Sequence, residues 1–379
     1  MLLRPPPLAP EPALPEGTAP AGTVAAGGVP ADVASAGTAS VGTASSGMAQ
    51  PCTARRPGGP TFAALDLGTN NCRMLVGTPC GPGFRVVESF SRVVRLGEGL
   101  HHSGQLSTCG MDRALAALAD CAERLGRRPV AGLRAVATEA CRQAVNGAAF
   151  LCRARKETGL PLELITPREE AELALESCAA LLGGGARRAL VFDIGGGSTE
   201  LAWVRIDRCG PPAMIGYLSL PVGVVTLAER FGPAADTATG FRAMVAEIAA
   251  RLAPFEQIHC IAREIRQGDV DLLGTSGTVT TLAGQALGLP RYHRALVDGT
   301  VLSGEAADQA LDRLQTLGRE GLSTHPCIGP ERAEFVLPGC AVFAAIRQTW
   351  PAPHIIVADR GLREGILLRL IRTHRGRRG

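Results

Sequence analysis

Aromatic residues make up only 4% of this 379-residue chain, and long apolar runs are missing. No apolar stretch reaches the roughly 20 residues that a helix needs to cross a bilayer. The first ten residues, MLLRPPPLAP, also lack the continuous apolar core of a secretory signal. We therefore expect a cytoplasmic protein with no membrane partner.

Paired cysteine and histidine motifs are also missing. The 12 cysteines include no CxxC pair, and the 7 histidines show neither HxxxH nor HExxH spacing. A chain of this length can bury a core without disulfides, so reduced thiols are expected. A structural zinc site is not expected, since the spacing of its ligands is absent.

An excess of charge of either sign is missing too. The 39 basic and 35 acidic residues leave a net charge of +4, which is too small for a polybasic partner of nucleic acid. All the basic residues except Lys156 are arginines. The guanidinium group suits phosphate binding, although a GC-rich genome is the simpler explanation for the bulk of this usage.

The length predicts two folded units. Residues 1–60 hold 11 of the 27 prolines, 13 alanines and 9 glycines, and no aromatic residue. Such a segment cannot bury enough apolar surface to offset the entropy that ordering would cost. We predict a disordered tail over residues 1–60, with the folded part following it.

Two similar hairpins are predicted in the folded part. The strand FAALDL ends on Asp66 and Leu67, before a polar turn and the strand CRMLVG. The segment ALVFDIGGGSTELAWV repeats this order and places Asp193 where Asp66 stood. The two aspartates lie 127 residues apart, which is too long for a solenoid repeat. The spacing indicates a duplicated domain with one hairpin in each half.

A third glycine-rich loop, GTSGTVTTLAG, begins at Gly274 after a short apolar run and leads into a helical pattern. A strand, a tight turn and a helix N-terminus together form a common anion site. Glycine lets backbone N–H groups converge on an anion, and small hydroxyl residues add further donors. Three such loops indicate a polyanionic ligand.

Acidic residues at the hairpin turns suggest a cation beside this ligand. A carboxylate at the end of a buried strand is costly unless it meets a metal, a donor or water. The second hairpin brings Asp193 and Glu200 to the same mouth, and these oxygens suit Mg²⁺. We predict Asp66, Asp193 and Glu200 as metal ligands. Glu200 could equally be a solvated strand residue, and the sequence leaves that choice open.

The segment ITPREEAELALE predicts a helix with a defined start. Thr166 is the predicted N-cap, Pro167 is the first helical residue, and Glu169 completes a capping box. On the helical pattern Glu170 borders the apolar stripe, whereas Glu169 faces solvent. Glu170 is therefore the candidate general base. The alternative is an acid that only complements the helix dipole.

Eight segments together resemble the exopolyphosphatase and guanosine pentaphosphate phosphohydrolase family. They follow that family's order over about residues 61–370, as ALDLGTNNCRMLV, RLGEGL, ATEACRQAVN, ITPREEAELALE, VFDIGGGSTEL, GTSGTVTTLAG, ERAEFVLPG and ADRGLREGIL. The resemblance implies an α/β fold of two ribonuclease-H-like domains of the actin-like ATPase and sugar kinase superfamily, with a cleft between them. We assign residues 61–169 to the first domain and 170–359 to the second, and expect a helix within 360–379 to pack back on the first.

The resemblance also implies Mg²⁺-dependent hydrolysis of the terminal phosphate of inorganic polyphosphate by an in-line water. It places the catalytic glutamate on Glu170 and metal-linked acids on Asp193 and Glu200. It implies phosphate binding by Gly68, Thr69, Asn70, Asn71, Arg142, Gly195, Gly196, Gly197, Ser198, Gly274, Thr275, Ser276, Gly277 and Thr278. Arg92 and Arg95 are further candidates for lining the substrate channel. Because the chain stops soon after ADRGLREGIL, it resembles the family's short, two-domain members.

Other functions stay open. Guanosine pentaphosphate presents the same terminal phosphate, although no aromatic platform for its base is identifiable in the sequence. A kinase of the same superfamily would need an acceptor, and a non-catalytic sensor would bind polyphosphate or an alarmone without turnover. The five arginines after Leu368 could contact polyphosphate or form a solvated basic terminus. The assembly state is also open, with a homodimer as one option.

Overall fold

The computed structural model of this chain describes residues 59–207 and 210–377. These residues belong to one unit of the fold, which spans residues 54–379. The tail predicted for residues 1–60 lies outside the described residues except for Gly59 and Pro60, and so does Arg378.

Five described strands form the first sheet, in the order β3-β2-β1-β4-β5. Their bounds are Phe62–Leu67 for β1, Asn71–Cys80 for β2, Gly83–Val93 for β3, Gly132–Ala137 for β4 and Leu162–Leu164 for β5. Strand β1 is antiparallel to β2 and parallel to β4. Its apolar run is buried along almost its whole length, as expected for a central strand covered on both faces.

One face of this sheet is covered by helices α1 to α4. They span Leu100–Ser103 (α1), Thr108–Gly126 (α2), Glu139–Gln143 (α3) and Gly147–Thr158 (α4). The apolar residues Leu115, Leu118 and Cys121 of α2 recur at helical spacing and are buried in the core against β1 and β2. Ser107 caps the helix by accepting a hydrogen bond from the Gly110 N–H at 3.1 Å.

The opposite face is covered by helices α5, Pro167–Cys178, and α14, Leu362–Gly376. Leu173 of α5 and Ile366 of α14 share a core cluster with Phe62. Leu175, further along α5, packs with the core of the second sheet instead. Helix α5 is therefore shared by the two halves of the molecule, and the predicted boundary between residues 169 and 170 falls inside it.

The arginines of the C-terminal helix are tied to the rest of the fold. Arg369 and Arg372 both form ion pairs with Glu176 of α5. Arg375 donates a hydrogen bond to the Gly81 carbonyl at 3.0 Å. These three residues therefore contact α5 and the β2–β3 turn, while Arg372 and Arg375 also remain exposed to solvent.

The second sheet contains six described strands in the order β10-β11-β9-β6-β7-β8. Their bounds are Arg188–Ile194 for β6, Thr199–Arg205 for β7, Ala213–Leu220 for β8, Val270–Thr275 for β9, Val301–Ser303 for β10 and His354–Ala358 for β11. Strand β6 is antiparallel to β7 and parallel to β9. From β8 to β11 the order repeats that of the first sheet, with β10 added at the edge. The predicted duplicated α/β fold of two ribonuclease-H-like halves is confirmed.

Helices α6 to α13 complete the second half. They span Val224–Phe231 (α6), Ala238–His259 (α7), Ile261–Arg266 (α8), Gly277–Ala286 (α9), Arg294–Val297 (α10), Gly304–Thr316 (α11), Gly318–Thr324 (α12) and Pro330–Thr349 (α13), with short 3-10 helices at Ala179–Leu181 and Gly232–Asp236. Helix α13 is buried along most of its length, and its Phe343 ring lies 6.2 Å from that of Phe192 on β6. In the part of the chain that the structure describes, no helix is both long enough and apolar enough to cross a membrane.

Candidate active site

The two predicted hairpin turns have the same hydrogen bond and lie against each other. The Gly68 N–H donates to the Asn71 carbonyl, and the Gly195 N–H donates to the Ser198 carbonyl, each at 2.9 Å. A methyl group on Gly197 would lie 2.5 Å from the Thr69 Oγ1 atom of the other turn. Only glycine allows this approach, so the turns of the two halves meet at one place.

Thr69 fills the space between these turns. Its side chain is buried, and its carbonyl accepts a hydrogen bond from the Gly97 N–H at 2.9 Å. The next carbonyl, that of Asn70, accepts from the Val94 N–H at 2.8 Å. Within the described residues the Asn70 Oδ1 atom is buried without a hydrogen-bond partner. That oxygen is therefore available to a cation, a water or a ligand donor.

The aspartates predicted from the duplicated pattern are both half-buried at the turns. Burial raises the pKa of Asp193 to about 6, and the charge of Arg73 opposes this shift. Burial likewise raises the pKa of Asp66, which is opposed by Arg73 and Arg363. The charge of Asp66 adds to the pKa increase at Asp193, so the two carboxylates lie close enough to repel each other.

Glu200 joins this acidic group from β7, directly opposite Asp193 in the strand register. It is only 4% exposed, so the alternative of a solvated strand residue is wrong. Burial, followed by the charge of Glu170, raises the pKa of Glu200 well above its usual range. The Ser219 hydroxyl donates to Glu200 Oε1 at 3.2 Å. The hairpin therefore brings Glu200 towards Asp193 and Glu170, as its spacing predicts.

Glu170 lies at the start of α5 and is directed towards the same acids. Burial raises its pKa to about 7 despite the nearby Arg142, and the charges of Asp66 and Asp193 raise it further. Arg142 Nη2 lies 2.9 Å from Glu170 Oε2 as an ion pair. Apart from this ion pair, no described residue contacts that buried oxygen with a hydrogen bond. Glu170 is thus a carboxylate that can take a proton near neutral pH.

Glu169 has different surroundings from those that the sequence predicts. Thr166 caps α5 by accepting from the Glu169 N–H at 3.2 Å, but the Glu169 carboxylate does not return to the cap. It lies 2.6 Å from Arg134 and 3.4 Å from Arg369. The predictions of a complete capping box and a solvent-facing side chain are therefore wrong, because α14 and β4 bring arginines to this side of α5.

Arg142, predicted to bind phosphate, is held by protein groups. Its Nε and Nη2 atoms donate to Glu139 Oε2 at 2.9 and 2.6 Å, and its Nη1 donates to the Ile165 carbonyl at 3.0 Å. The Arg142 side chain is 13% exposed. The structure therefore places this arginine between Glu139 and the candidate base, Glu170.

The third glycine-rich loop is shaped by a strained serine. Ser276 has a φ of 99°, in the region that favours glycine, and its hydroxyl is buried with no partner among residues 59–207 and 210–377. Thr275 donates a hydrogen bond to the Arg360 carbonyl. Gly277 then begins α9 and is exposed, whereas Thr278 packs beside Gly339 of α13. The predicted order of strand, turn and helix N-terminus is confirmed for this loop.

Sequence reasoning missed a group of arginines near the acids. Arg73 lies opposite Asp66 in the first hairpin, while Arg332 and Arg363 come from α13 and α14. Burial lowers the pKa of both Arg332 and Arg363, and the positive charge of Arg73 lowers each further. Guanidinium groups that repel one another favour an anion between them. All three arginines lie in segments that resemble the family, and this resemblance is the sequence feature that could have identified them.

The two arginines proposed for the channel lie in ion pairs. Arg92 lies 2.5 Å from Asp120 and Arg95 lies 2.7 Å from Glu334 of α13. Arg95 also has a φ of 46°, so it adopts the left-handed backbone region. The Arg95 pair connects the loop after β3 to the second half of the molecule.

The acids fit a magnesium ion that a phosphate ligand helps to hold. Among the described residues, no three Asp, Glu, His or Cys side chains are grouped closely enough to bind a metal by themselves. Mg²⁺ commonly takes only one or two carboxylates, with waters and substrate phosphates completing its shell. Such a cation would reduce the repulsion between Asp66 and Asp193, and it would give the unpartnered Asn70 Oδ1 a partner.

Comparison with known proteins agrees with this geometry. The Ppx/GppA phosphatase family matches residues 78–374. An exopolyphosphatase-like protein of known structure is 28% identical, with 82% of this chain and 97% of that chain covered and a TM-score of 0.73. A Ppx/GppA family member from Aquifex aeolicus is 26% identical, with 83% and 98% covered and a TM-score of 0.67. An exopolyphosphatase from Cytophaga hutchinsonii shares the fold, with 22% identity, 83% and 98% covered and a TM-score of 0.74.

Proposed function

This chain belongs to the Ppx/GppA phosphatase family, and we propose that it is an exopolyphosphatase that hydrolyses the terminal phosphate from inorganic polyphosphate. The observation that carries the proposal is the position of Glu170. It is a largely buried carboxylate with a pKa of about 7, and it lies close enough to Asp66 and Asp193 to feel their charges. Glu170 and its neighbours would therefore supply a base, a phosphate site and a cation site.

The role of Glu170 is to orient a water molecule and accept its proton. A general base works best when its pKa lies near the working pH, because it is then deprotonated yet still basic. Burial provides this for Glu170. Proton transfer to Glu170 would leave the water oxygen free to attack the terminal phosphorus. The P–O bond to the rest of the chain, opposite the attacking oxygen, would then break, and the shortened chain would leave.

The phosphate chain would lie between the glycine turns and the arginine group of Arg73, Arg332 and Arg363. The backbone N–H groups of the turns can approach phosphate oxygens closely, since glycines leave them uncovered. Arg73, Arg332 and Arg363 supply positive charge that the nearby acids do not fully neutralise. Both features stabilise the charge that develops on the phosphoryl oxygens and the leaving chain.

Asp66, Asp193 and Glu200 would hold Mg²⁺ together with the substrate. When bound, the ion would neutralise phosphate charge and help to align the terminal phosphoryl group. Asn70 Oδ1 is a further oxygen within the first turn that could contact it or its waters.

Comparing three substrates tests this proposal. The purified protein with Mg²⁺ would receive long polyphosphate, short polyphosphate or guanosine pentaphosphate, and released phosphate would be measured. We expect higher kcat/KM on polyphosphate than on the nucleotide. A strong preference for guanosine pentaphosphate would instead identify a pentaphosphate phosphohydrolase. Strict dependence on an acceptor would identify a kinase, and binding without release would identify a sensor.

A further inference from the structure

Glu139 is a buried acid with no role in the proposed chemistry. It begins the short helix α3 and is 8% exposed. Both of its carboxylate oxygens have partners. Oε2 accepts two hydrogen bonds from Arg142, and Oε1 accepts one from Gln143 Nε2 at 2.5 Å. A buried carboxylate with this number of donors is fixed in place.

Arg142 connects this fixed acid to the candidate base. Its Nη1 donates to the carbonyl of Ile165, the residue before the N-cap of α5, and its Nη2 lies 2.9 Å from Glu170 Oε2. All three guanidinium nitrogens therefore have protein partners. Glu139 accepts from two of these nitrogens, and Nη2 is shared, because it donates to Glu139 Oε2 at 2.6 Å and also lies 2.9 Å from Glu170 Oε2.

This arrangement differs from the role that family resemblance implies for Arg142. A phosphate-binding arginine should present its guanidinium group to the ligand, whereas that of Arg142 is divided between two glutamates and a carbonyl. Burial alone would lower the pKa of Arg142, but the charges of Glu170 and Glu139 raise it overall. The group therefore stays charged between its two acidic partners.

We propose that Glu139 is a positioning residue, which fixes Arg142 so that Arg142 holds the Glu170 carboxylate in place for the attacking water. The inference rests on the proposed function, since it concerns the placing of the proposed base. Without Glu139, Nη2 would lose its competing acceptor and would be free to donate a full hydrogen bond to Glu170 Oε2, which would make the carboxylate a poorer base.

A purely structural role is the alternative. The Glu139 stem lies near the second glycine turn, where a methyl group on Gly197 would be 3.2 Å from Glu139 Cγ. Glu139 could then serve only as a spacer between the two turns. The two roles differ in what they predict for Arg142, because a spacer would act independently of the guanidinium group.

A double-mutant cycle separates these roles. Glu139→Gln keeps the shape of the side chain and removes its charge, and Arg142→Ala removes the connecting group. We expect each single change to lower kcat on polyphosphate about 10- to 100-fold with KM little changed, as found when outer-shell partners are removed. The double variant should be no slower than Arg142→Ala alone, since both act through one contact.

Three results would overturn the proposal. Losses that multiply in the double variant would make Glu139 an independent spacer. A raised KM with unchanged kcat for Arg142→Ala would make Arg142 a phosphate ligand. A Glu139→Gln variant with the kcat of the wild type would exclude a positioning role for Glu139. Glu163→Gln is the matched control, because Glu163 pairs with Arg134 at 2.6 Å on the surface and should leave both constants unchanged.

Crystal structures of the wild type and of Glu139→Gln provide a readout that does not depend on activity. We expect the Arg142 guanidinium group and the Glu170 carboxylate to shift together in the variant. Unchanged positions of both groups would contradict the proposal. If the wild type released phosphate from none of the three substrates, the proposed function would fail, and these structures would still decide whether Glu139 fixes Arg142 and Glu170. Glu139→Asp, which keeps the charge on a shorter stem, replaces Glu139→Gln if that variant does not fold.

Discussion

Two adjacent glutamates at the start of α5 have different surroundings at the residue scale. Glu170 interacts with Arg142, Asp66 and Asp193, while Glu169 pairs with Arg134 and Arg369. We expect Glu170→Gln to lower the rate of phosphate release about 10²- to 10⁴-fold, because the amide keeps the shape and loses the base. Steady-state kinetics and the melting temperature together would show lost chemistry with an intact fold.

Glu169→Gln is the control for that change. It removes one charge from a partly exposed ion-pair group, which typically costs about 1 kcal/mol or less. Most of the activity should therefore remain. An inactive Glu169→Gln beside an active Glu170→Gln would mean that the wrong acid had been chosen.

The acids proposed to hold magnesium should behave differently from Glu170. Asp193→Asn and Glu200→Gln should raise the Mg²⁺ concentration needed for half-maximal rate as well as lower the rate, because they act through the ion. Titration of activity with Mg²⁺ measures both effects. An unchanged Mg²⁺ requirement in both variants would exclude these residues as ligands.

The raised pKa of Glu170 predicts how the rate depends on pH. The base works only when deprotonated, so kcat/KM should fall as the pH drops through about 7. A glutamate with the usual pKa of 4.5 would give this fall at a correspondingly lower pH. A pH profile at saturating Mg²⁺ that stays flat down to about pH 5 would contradict the assignment.

At the scale of elements, the local patterns are what the sequence predicts well. The strand, turn and strand of each hairpin, and the Thr166 start of α5, follow from residue spacing over fewer than 20 positions. The surroundings of Glu169 do not, because Arg369 lies 200 residues away on α14. The arginine group likewise joins β2, α13 and α14. The spacing of apolar residues predicts which face of a helix or strand is buried, but not which distant segment packs against it.

The contact between the two glycine turns supports a test at this scale. Gly197→Ala would place a methyl group 2.5 Å from Thr69 Oγ1 and force the turns apart. We expect a loss of about 1–3 kcal/mol in unfolding free energy, typical of an overpacked core, together with lower activity. Urea unfolding measures the first and phosphate release the second.

Two variants control for this effect. Thr69→Ala combined with Gly197→Ala removes the clashing oxygen and should recover part of the stability. Gly184→Ala adds a methyl group where no described atom lies within 4 Å, and should change little. A Gly197→Ala variant as stable and active as the wild type would contradict the close contact of the turns.

At the scale of the whole molecule, the site exists only where the two halves meet. The turns lie against each other, Arg95 pairs with Glu334, and the Gly99 N–H donates to Glu229 at 2.7 Å. Sequence duplication predicts two such turns but not their mutual packing, because that depends on how the shared helix α5 places the halves. The net charge of +4 likewise does not reveal the acids and arginines that gather at this site, because they come from distant segments of the chain.

Hydrolysis of polyphosphate in oxygen-18 water tests the central claim most directly. The wild-type protein with Mg²⁺, and no acceptor other than water, would be compared with Glu170→Gln, and the released phosphate would be analysed by mass spectrometry. We predict that the wild type releases single phosphates, each carrying one oxygen-18 atom, while Glu170→Gln releases almost none. Phosphate that appears only with an added acceptor, or an equal rate of labelled release by Glu170→Gln, would contradict the account.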